Sequence, residues 1–451
     1  MNSFLFIAIL ITFTMLYFIL GVVASGKVQS TTDYFLAGRK LSFSAVTFTL
    51  IATQLGGGML LGTSQEAYTI GLWGILYTLG ISIGFLLLAC GIAARLQSLD
   101  VETTAQLFQT RYNSLLLKKI ASFLSILTLC GLFIGQIVAS RTIVAGLGFS
   151  TDWAFSLFWL FIIISAAIGG LYAVAETDRY QVCYIMVVFI SIFAYAIWQT
   201  PTSLSSLVST AGLSMPSLDF SSMFGILVMP ALFSLIEQDL AQRFFAARSG
   251  RVAVASALCA SIFMLCFALI PIYFGIQARL LGIMVPADAS PFIPTIKYLT
   301  NDIVVVFALC GIIAAVCSTA DSLLCAISSN VAQDFNFTAR GIVSSLQLSR
   351  TITLIVGVSA LVISYFVPQN IISIIIGSYE ISVCCLLIPL LVSYYYEKLN
   401  QNSAWGAVIG GLIGFAIGRI FPVYIPKELL ALLLSALGYL IGGTFLQRDQ
   451  Q

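Results

Sequence analysis

In the apolar stretch 303–330 stand Cys317, Ser318, Thr319, Ala320, Asp321 and Ser322, a run of hydroxyls around one carboxylate with no cation among them. A carboxylate at the centre of a membrane-spanning helix costs about 2.5–3.5 kcal/mol to insert. On a helix Ser318, Asp321 and Ser322 fall at i, i+3 and i+4, so their oxygens share one face. Oxygen ligands carrying one negative charge suit a small hard cation. The competing reading has the hydroxyls bonding back to the preceding turn and Asp321 capping a helix break.

Other polar groups interrupt apolar sequence in the same way. Gly56, Gly57 and Gly58 stand together in one apolar segment, and each glycine costs about 1 kcal/mol relative to alanine in a helix. Three in a row predict local unwinding, which would free the upstream carbonyls of Ala52 and Leu55; close helix contact through small residues is the other reading. Residues 236–243, IEQDLAQR, follow Pro230. Glu237 and Gln238 are expected to face a solute at membrane mid-depth, with Gln54 and the three glycines opposite. Asp239, Gln242 and Arg243 read as an interfacial network. Asp178 is either salt-bridged to Arg179 or a neighbour, or part of a second ion site with Ser318, Asp321 and Ser322. Tyr379 and Glu380, in IGSYEIS, mark a possible gate.

The elements that must hold these residues are membrane helices. Of 451 residues, 60% are hydrophobic and 8% charged, and mean hydropathy is +1.05. Apolar runs recur near 3–24, 42–70, 72–95, 119–147, 151–172, 176–199, 222–244, 252–283, 303–330, 349–367, 370–396, 403–419 and 427–446, which predicts about 13 spanning helices. The fold class is all-α and polytopic. Fifteen Lys and Arg fall in connections on one side and four on the other. By the positive-inside rule the N-terminus lies outside and the C-terminus is cytoplasmic. The Thr200–Ser222 connection, rich in Ser, Thr and Pro, suits an external cover, and the Asn336 sequon falls inside. Residues 1–451 read as a single transmembrane domain: an extra helix at 3–24, five-helix units at 42–199 and 222–396, and a C-terminal pair at 403–446. Because five is odd, the second unit enters the membrane in the opposite sense, which is an inverted repeat.

The absence of histidine removes the commonest proton shuttle and metal ligand. The ten cysteines lie in apolar segments without CxxC spacing and read as small hydrophobes. A membrane enzyme would need a nucleophile and base, or metal ligands, at a membrane face, and the absence of histidine argues against that reading.

The segments TTDYFLAGRKLS (31–42), LIATQLGGGMLLGTSQEAYTIGL (50–72), GGLYAVAETDRYQ (169–181), EQDLAQRFFAARS (237–249) and DSLLCAISSNVAQDF (321–335) together resemble the solute:sodium symporter family. The resemblance implies the leucine-transporter-like fold, with an extra N-terminal helix and two C-terminal ones. It implies a main Na+ site of the Ala52, Leu55 and Ala315 carbonyls with the Ser318 and Thr319 hydroxyls. A second Na+ site found in some members would use Asp178, Ser318, Asp321 and Ser322. The glycine run and GGLY segment are most similar to the choline-transporting branch. Gln54 and Glu237 stand where that branch has tryptophan, and a quaternary ammonium wants an aromatic cage. Polar groups there suit a hydrogen-bonding solute of the amino acid, organic cation or sugar acid class.

The expectation is a sodium-coupled symporter importing a small polar organic solute by alternating access, with proton coupling on the same fold as the alternative. Na+ is the coupling ion, with no organic cofactor. The other partners are the solute and the lipid bilayer, and nothing in the charge points to nucleic acid. The expected location is a prokaryotic inner (plasma) membrane.

Overall fold

The structure, a computed structural model, describes residues 3–26, 28–146, 152–200, 220–286, 289–335, 345–367, 371–421 and 425–444. Residues 201–219 of the expected external cover, the Asn336 sequon, and Lys27, Arg340 and Arg448 of the inside count lie outside the described residues. Among those described the chain is helical, with one isolated bridge between Leu41 and Ala247.

α1 (Ser3–Ser25) is apolar from end to end. α2 (Thr31–Leu36) opens on a capping box: the Asp33 N–H donates to Ser30 Oγ (3.0 Å) and the Ser30 N–H donates to Asp33 Oδ2 (3.1 Å). Ala37, Gly38 and Arg39 then all take positive φ (46°, 63° and 56°). This left-handed turn carries the Arg39 guanidinium to the carbonyls of Leu99 and Val101 (3.0 and 2.9 Å). The stretch 31–42 is therefore a clasp on a connection sixty residues away.

α3 (Phe43–Gln54) and α4 (Thr63–Ile70) are two parts of one broken helix. Regular helix stops at Leu55 and Gly56, then resumes through a wide turn over Gly58–Gly62. α5 (Leu76–Leu87) follows a tight reversal at Gly71 (φ 64°), where a Cβ on Gly74 would lie 2.6 Å from the Ala67 nitrogen. α6 (Ala93–Ser98) and α7 (Gln106–Thr110) flank the connection that Arg39 grips. α8 (Leu115–Gly146) leads to α9 (Asp152–Gln199), 48 residues long. Straight, α9 would run about 72 Å, over twice the hydrocarbon core; it breaks at Gly170 (φ 59°). α10 (Phe220–Ser234) and α11 (Gln238–Ala246) repeat the broken-helix pattern, with Leu235, Ile236 and Glu237 out of helix. Pro230, which has no N–H to give, lies just ahead of that break.

α12 (Gly250–Phe267), α13 (Leu269–Leu280), α14 (Phe292–Leu299), α15 (Asp302–Asp334), α16 (Ser345–Ser364), α17 (Ile371–Tyr395), α18 (Gln401–Ile420) and α19 (Lys427–Thr444) follow. Ten described helical stretches are long and apolar enough to cross a bilayer. The thirteen expected segments map onto them once two are divided at Gly71 and Gly170 and α1 is added. α15 is the axis, with 83% of its apolar window buried against 17% in α19. α18 and α19 cross with no side chain between their backbones: Gly406 meets Gly438, Gly410 meets Leu434 and Gly414 meets Ala431. Such approaches compensate for the lack of a hydrophobic drive between helices in lipid.

Gly170 is needed twice over, for its positive φ and because a Cβ there would lie 2.6 Å from Tyr34. Gly170→Ala should lower the thermal midpoint of the detergent-solubilised protein by several degrees. Gly225→Ala, in α10 with nothing within 4 Å, should leave it unchanged or raise it, since alanine favours a helix by about 1 kcal/mol.

Candidate functional site

The two helix breaks face each other across a small cavity, about 40 Å³, whose polar lining includes Gln54, Gln136, Glu237, Asp239 and Thr319 amid apolar and aromatic walls. Gln54 Nε2 donates to Glu237 Oε2 (3.2 Å), joining the breaks directly. Backbone freed by unwinding is answered by side chains from neighbouring segments. Gln136 Oε1 on α8 accepts the Gly57 N–H (2.8 Å), Tyr394 Oη on α17 donates to the Leu235 carbonyl (2.9 Å), and Ser290 Oγ donates to the Leu61 carbonyl (2.9 Å). The glycines serve both sequence readings at once. A Cβ on Gly56 would lie 2.6 Å from Gln136 Oε1 and 2.8 Å from Thr319 Oγ1, and one on Gly58 would meet Ile375 at 2.6 Å. Gln136 was missed in the sequence; a lone amide inside LFIGQIVAS was its only signal.

At the α3 break, hydroxyls and carbonyls converge. Ser318 Oγ lies 3.2 Å from the Ala52 carbonyl oxygen and 2.9 Å from that of Ala315. Thr319 Oγ1 lies 3.2 and 3.1 Å from the same two oxygens. Leu55, which ends α3, is fully buried beside them. Each hydroxyl has one proton and two lone pairs, and a turn of its rotor aims a lone pair where the proton pointed. The set can therefore present four neutral oxygens to a small cation.

A buried arginine organises the neighbouring layer. Arg243 is wholly inside the protein and not at an interface as expected. Its Nη1 donates to the Asp239 carbonyl (2.5 Å), Nη2 to Ser322 Oγ (2.5 Å) and Nε to Thr49 Oγ1 (3.1 Å). Thr49 in turn donates to Asp178 Oδ2 (2.5 Å). Asp178 thus reaches Arg243 through a hydroxyl, while Arg179 pairs with Glu176 at 3.9 Å. Ser322 Oγ also takes a bond from Thr53 (3.1 Å). Gln242 Nε2 donates to the Phe35 carbonyl (2.6 Å).

The four residues expected to share a second ion site are consequently divided. Ser318 sits at the break, Asp178 and Ser322 sit on the arginine, and Asp321 lines a different cavity. The reason is helical: at 100° per residue Asp321 stands about 60° from Ser318 and 100° from Ser322. The α15 surface between those angles belongs to different neighbours.

Gln238 and Glu380 are also elsewhere. Gln238 turns from the cavity to the α6–α7 connection, where its Oε1 accepts the Thr104 N–H (2.7 Å) and hydroxyl (3.1 Å) and its Nε2 donates to the Glu102 carbonyl (3.2 Å). Thr103 Oγ1 donates to Asp334 Oδ1 (2.8 Å), which Lys118 approaches at 3.7 Å. The connection is therefore pinned to both α11 and α15. On it, burial pushes the Glu102 carboxyl above the usual range, opposed by Arg39. Tyr379 does line the central cavity, stacked on Phe233 (centroids 4.5 Å, planes 10° apart). Glu380 points away to Lys427 (2.9 Å) and Arg419 (3.9 Å), so it anchors the α18–α19 pair instead of closing the cavity.

The spanning helices define a multi-pass membrane protein. More specifically, the chain belongs to the sodium:solute symporter family, whose model matches residues 34–414. Among solved structures it is similar to a substrate-bound, outward-open Na+-coupled sialic acid symporter: 17% identity, 98% of this chain and 96% of that one covered, TM-score 0.79. It is also similar to a nucleobase-cation-symport-1 family transporter in a closed conformation with bromovinylhydantoin bound: 12% identity, 92% and 95% covered, TM-score 0.63. The shared fold is the leucine-transporter-like fold.

Removing the charge on Arg243 while leaving Asp178 buried should be costly, about 3–5 kcal/mol for a broken buried charge network. Arg243→Met is therefore expected to unfold at markedly lower temperature than wild type, and Asp178→Asn in the same chain should restore part of the loss. Equal stability of Arg243→Met and wild type would show that the arginine holds nothing together.

Proposed function

We propose that this protein is a sodium-coupled symporter that imports a small polar organic solute by alternating access. The observation that carries the reading is the convergence of the Ala52 and Ala315 carbonyls with the Ser318 and Thr319 hydroxyls at a helix break. Leu55 completes the proposed Na+ site. That oxygen set adjoins the solute pocket, where Thr319 lines the same cavity as Gln54, Gly56, Gly58 and Glu237, so ion and solute stabilise one arrangement of the broken helix. One Na+ moving down about 100 mV supplies roughly 2.3 kcal/mol, and a tenfold gradient adds roughly 1.4 kcal/mol. Together these support accumulation of roughly several hundredfold.

The solute pocket is assigned to Gln54, Glu237 and Gln136, with Tyr379 and Phe233 as an aromatic wall. The carboxylates of Glu237 and Asp239, lining the cavity with the amides of Gln54 and Gln136, favour a solute bearing an amine or another donor cation. At about 40 Å³ the cavity admits only a few waters, so an organic solute enters when the surrounding helices part. Gln238 and Asp334, by holding the α6–α7 connection, close one side of that path. The N-terminus is assigned outside, the C-terminus to the cytoplasm, the membrane to a prokaryotic cell, and 42–199 and 222–396 to the inverted units.

Ser318→Ala and Thr319→Ala should each raise the sodium concentration for half-maximal uptake at least about tenfold, about 1.4 kcal/mol, with a smaller effect on solute affinity at saturating sodium. Uptake that persists when sodium is replaced by choline chloride at fixed pH, and follows pH instead, would assign coupling to protons.

Glu237→Gln should weaken binding of an amine-bearing solute most, since a mismatched buried polar group is left unpaired, and should leave sodium binding near wild type. Solute and sodium affinities measured separately by thermal shift test this; wild-type values for both would make Glu237 scaffolding.

A further inference from the structure

Several cations on the face assigned to the cytoplasm are engaged by protein. Arg39 and Arg95 donate to main-chain carbonyls, and Arg111, Lys118 and Arg179 approach carboxylates. Lys40, Arg248 and Arg251 differ. All three are exposed, and among the described residues none has an ion pair or a side-chain hydrogen bond. The fold sets them together. The Leu41 N–H donates to the Ala246 carbonyl (3.0 Å) and the Arg248 N–H to the Leu41 carbonyl (3.1 Å), so 40–42 runs alongside 246–248. Leu41 and Ala247 are buried at this bridge, and Lys40 and Arg248 flank it at the surface. Arg251 follows in the first turn of α12. Asp100, the acid on the adjoining α6–α7 connection, pairs with Arg39 (3.4 Å). Water serves each cation alone, but three like charges with no anion among them repel.

α12 extends the patch into the membrane. At 100° per residue Leu258, Ile262 and Leu265 stand within about 40° of Arg251, and they are 42%, 57% and 38% exposed. From Arg251 to Leu265 the helix rises about 21 Å, more than one leaflet of a hydrocarbon core about 30 Å thick. Phe43, also exposed, joins this face, since Ser256 Oγ on α12 donates to its carbonyl (3.3 Å). Small residues leave room at the head of the strip. α5 ends in a wide turn over Leu88–Ile92 in which Gly91 has φ 121°, with nothing within 4 Å of the place its Cβ would take. One turn further, Ala94 packs against Gly250, next to Arg251.

We propose that Lys40, Arg248 and Arg251 bind the phosphodiester of an anionic phospholipid in the inner leaflet, with an acyl chain laid along Leu258, Ile262 and Leu265. Charge complementarity carries the assignment: unpaired cations at the end of a lipid-facing apolar strip match a ligand with an anionic head and a hydrocarbon tail. The lipid bridges 40–42, which leads into α3, to 246–251, which joins α11 to α12, and so steadies the inner ends of both broken helices. The site shares no residue with the solute and Na+ assignments and uses only the assigned orientation.

The test adds lipid to the delipidated, detergent-solubilised full-length protein and reads thermal shift and, by native mass spectrometry, the number of lipids retained. Phosphatidylglycerol should raise the thermal midpoint saturably and stay bound, whereas phosphatidylcholine should do neither. Arg248→Gln/Arg251→Gln should weaken phosphatidylglycerol at least tenfold. Lys119→Gln/Lys398→Gln, which removes the same charge from exposed positions on the same side, should bind it as wild type does. Equal weakening in both double variants would reduce the effect to overall charge and overturn the proposal. Equal retention of phosphatidylglycerol and phosphatidylcholine would also overturn it. So would inorganic phosphate or a polyglutamate peptide producing the same shift as phosphatidylglycerol, which would assign the cations to a free anion or to an acidic protein segment. If Arg248→Gln/Arg251→Gln does not fold, Lys40→Gln, expected to weaken phosphatidylglycerol severalfold, decides alone.

Discussion

Lipid offers no hydrogen bonds, so a helix that unwinds inside a membrane must have every freed backbone group answered by protein. This structure depends on meeting that constraint twice, at Leu55–Gly56 and at Leu235–Glu237. The answers come from side chains far away in sequence: Gln136 for the Gly57 N–H, Ser318 and Thr319 for the Ala52 carbonyl, Tyr394 for the Leu235 carbonyl. Each such bond fixes a neighbour. α8, α15 and α17 are therefore placed by the breaks as much as by apolar packing, and the groups that satisfy the break are the ones available to an ion.

Charge imposes the second constraint. Asp178, Glu237 and Asp239 are buried within reach of one guanidinium, and no exposed counter-charge can serve them. Arg243 meets the problem mostly through intermediaries, a threonine, a serine and a main-chain carbonyl. Bonding through hydroxyls keeps the guanidinium satisfied without closing a direct pair with any carboxylate. Glu237 takes a bond from Gln54 and stays on the cavity with Asp239 beside it. The same economy divides α15, whose faces serve the break, the arginine and a cavity walled by α1 and α9 in turn.

Small residues make these distances achievable. Gly56 and Gly58 admit Gln136, Thr319 and Ile375 where any Cβ would collide, and Gly406, Gly410 and Gly414 let the C-terminal pair close on backbone alone. Glu380 then locks that pair to α17 through Lys427. The α6–α7 connection is held from three directions, by Arg39, Gln238 and Asp334, so it moves only when several bonds yield together.

The sequence by itself determined the all-helical membrane class, the positions of the two broken helices, and the hydroxyl-rich stretch of α15. These follow from local composition: apolar runs of spanning length, glycine and proline where helix is costly, and polar residues where lipid forbids them. It was silent on Gln136, and it mistook the direction of Gln238, Glu380, Arg243 and Asp321. A side chain's direction on a buried helix is decided by which neighbour covers that angle, and here the neighbours lie far apart in the chain, 269 positions for Thr53 and Ser322. Residues three and four apart can share a face, but only the tertiary arrangement decides whether one neighbour covers it. Asp321 and Ser322 are adjacent in the chain, yet one faces α1 and α9 while the other bonds Arg243 of α11.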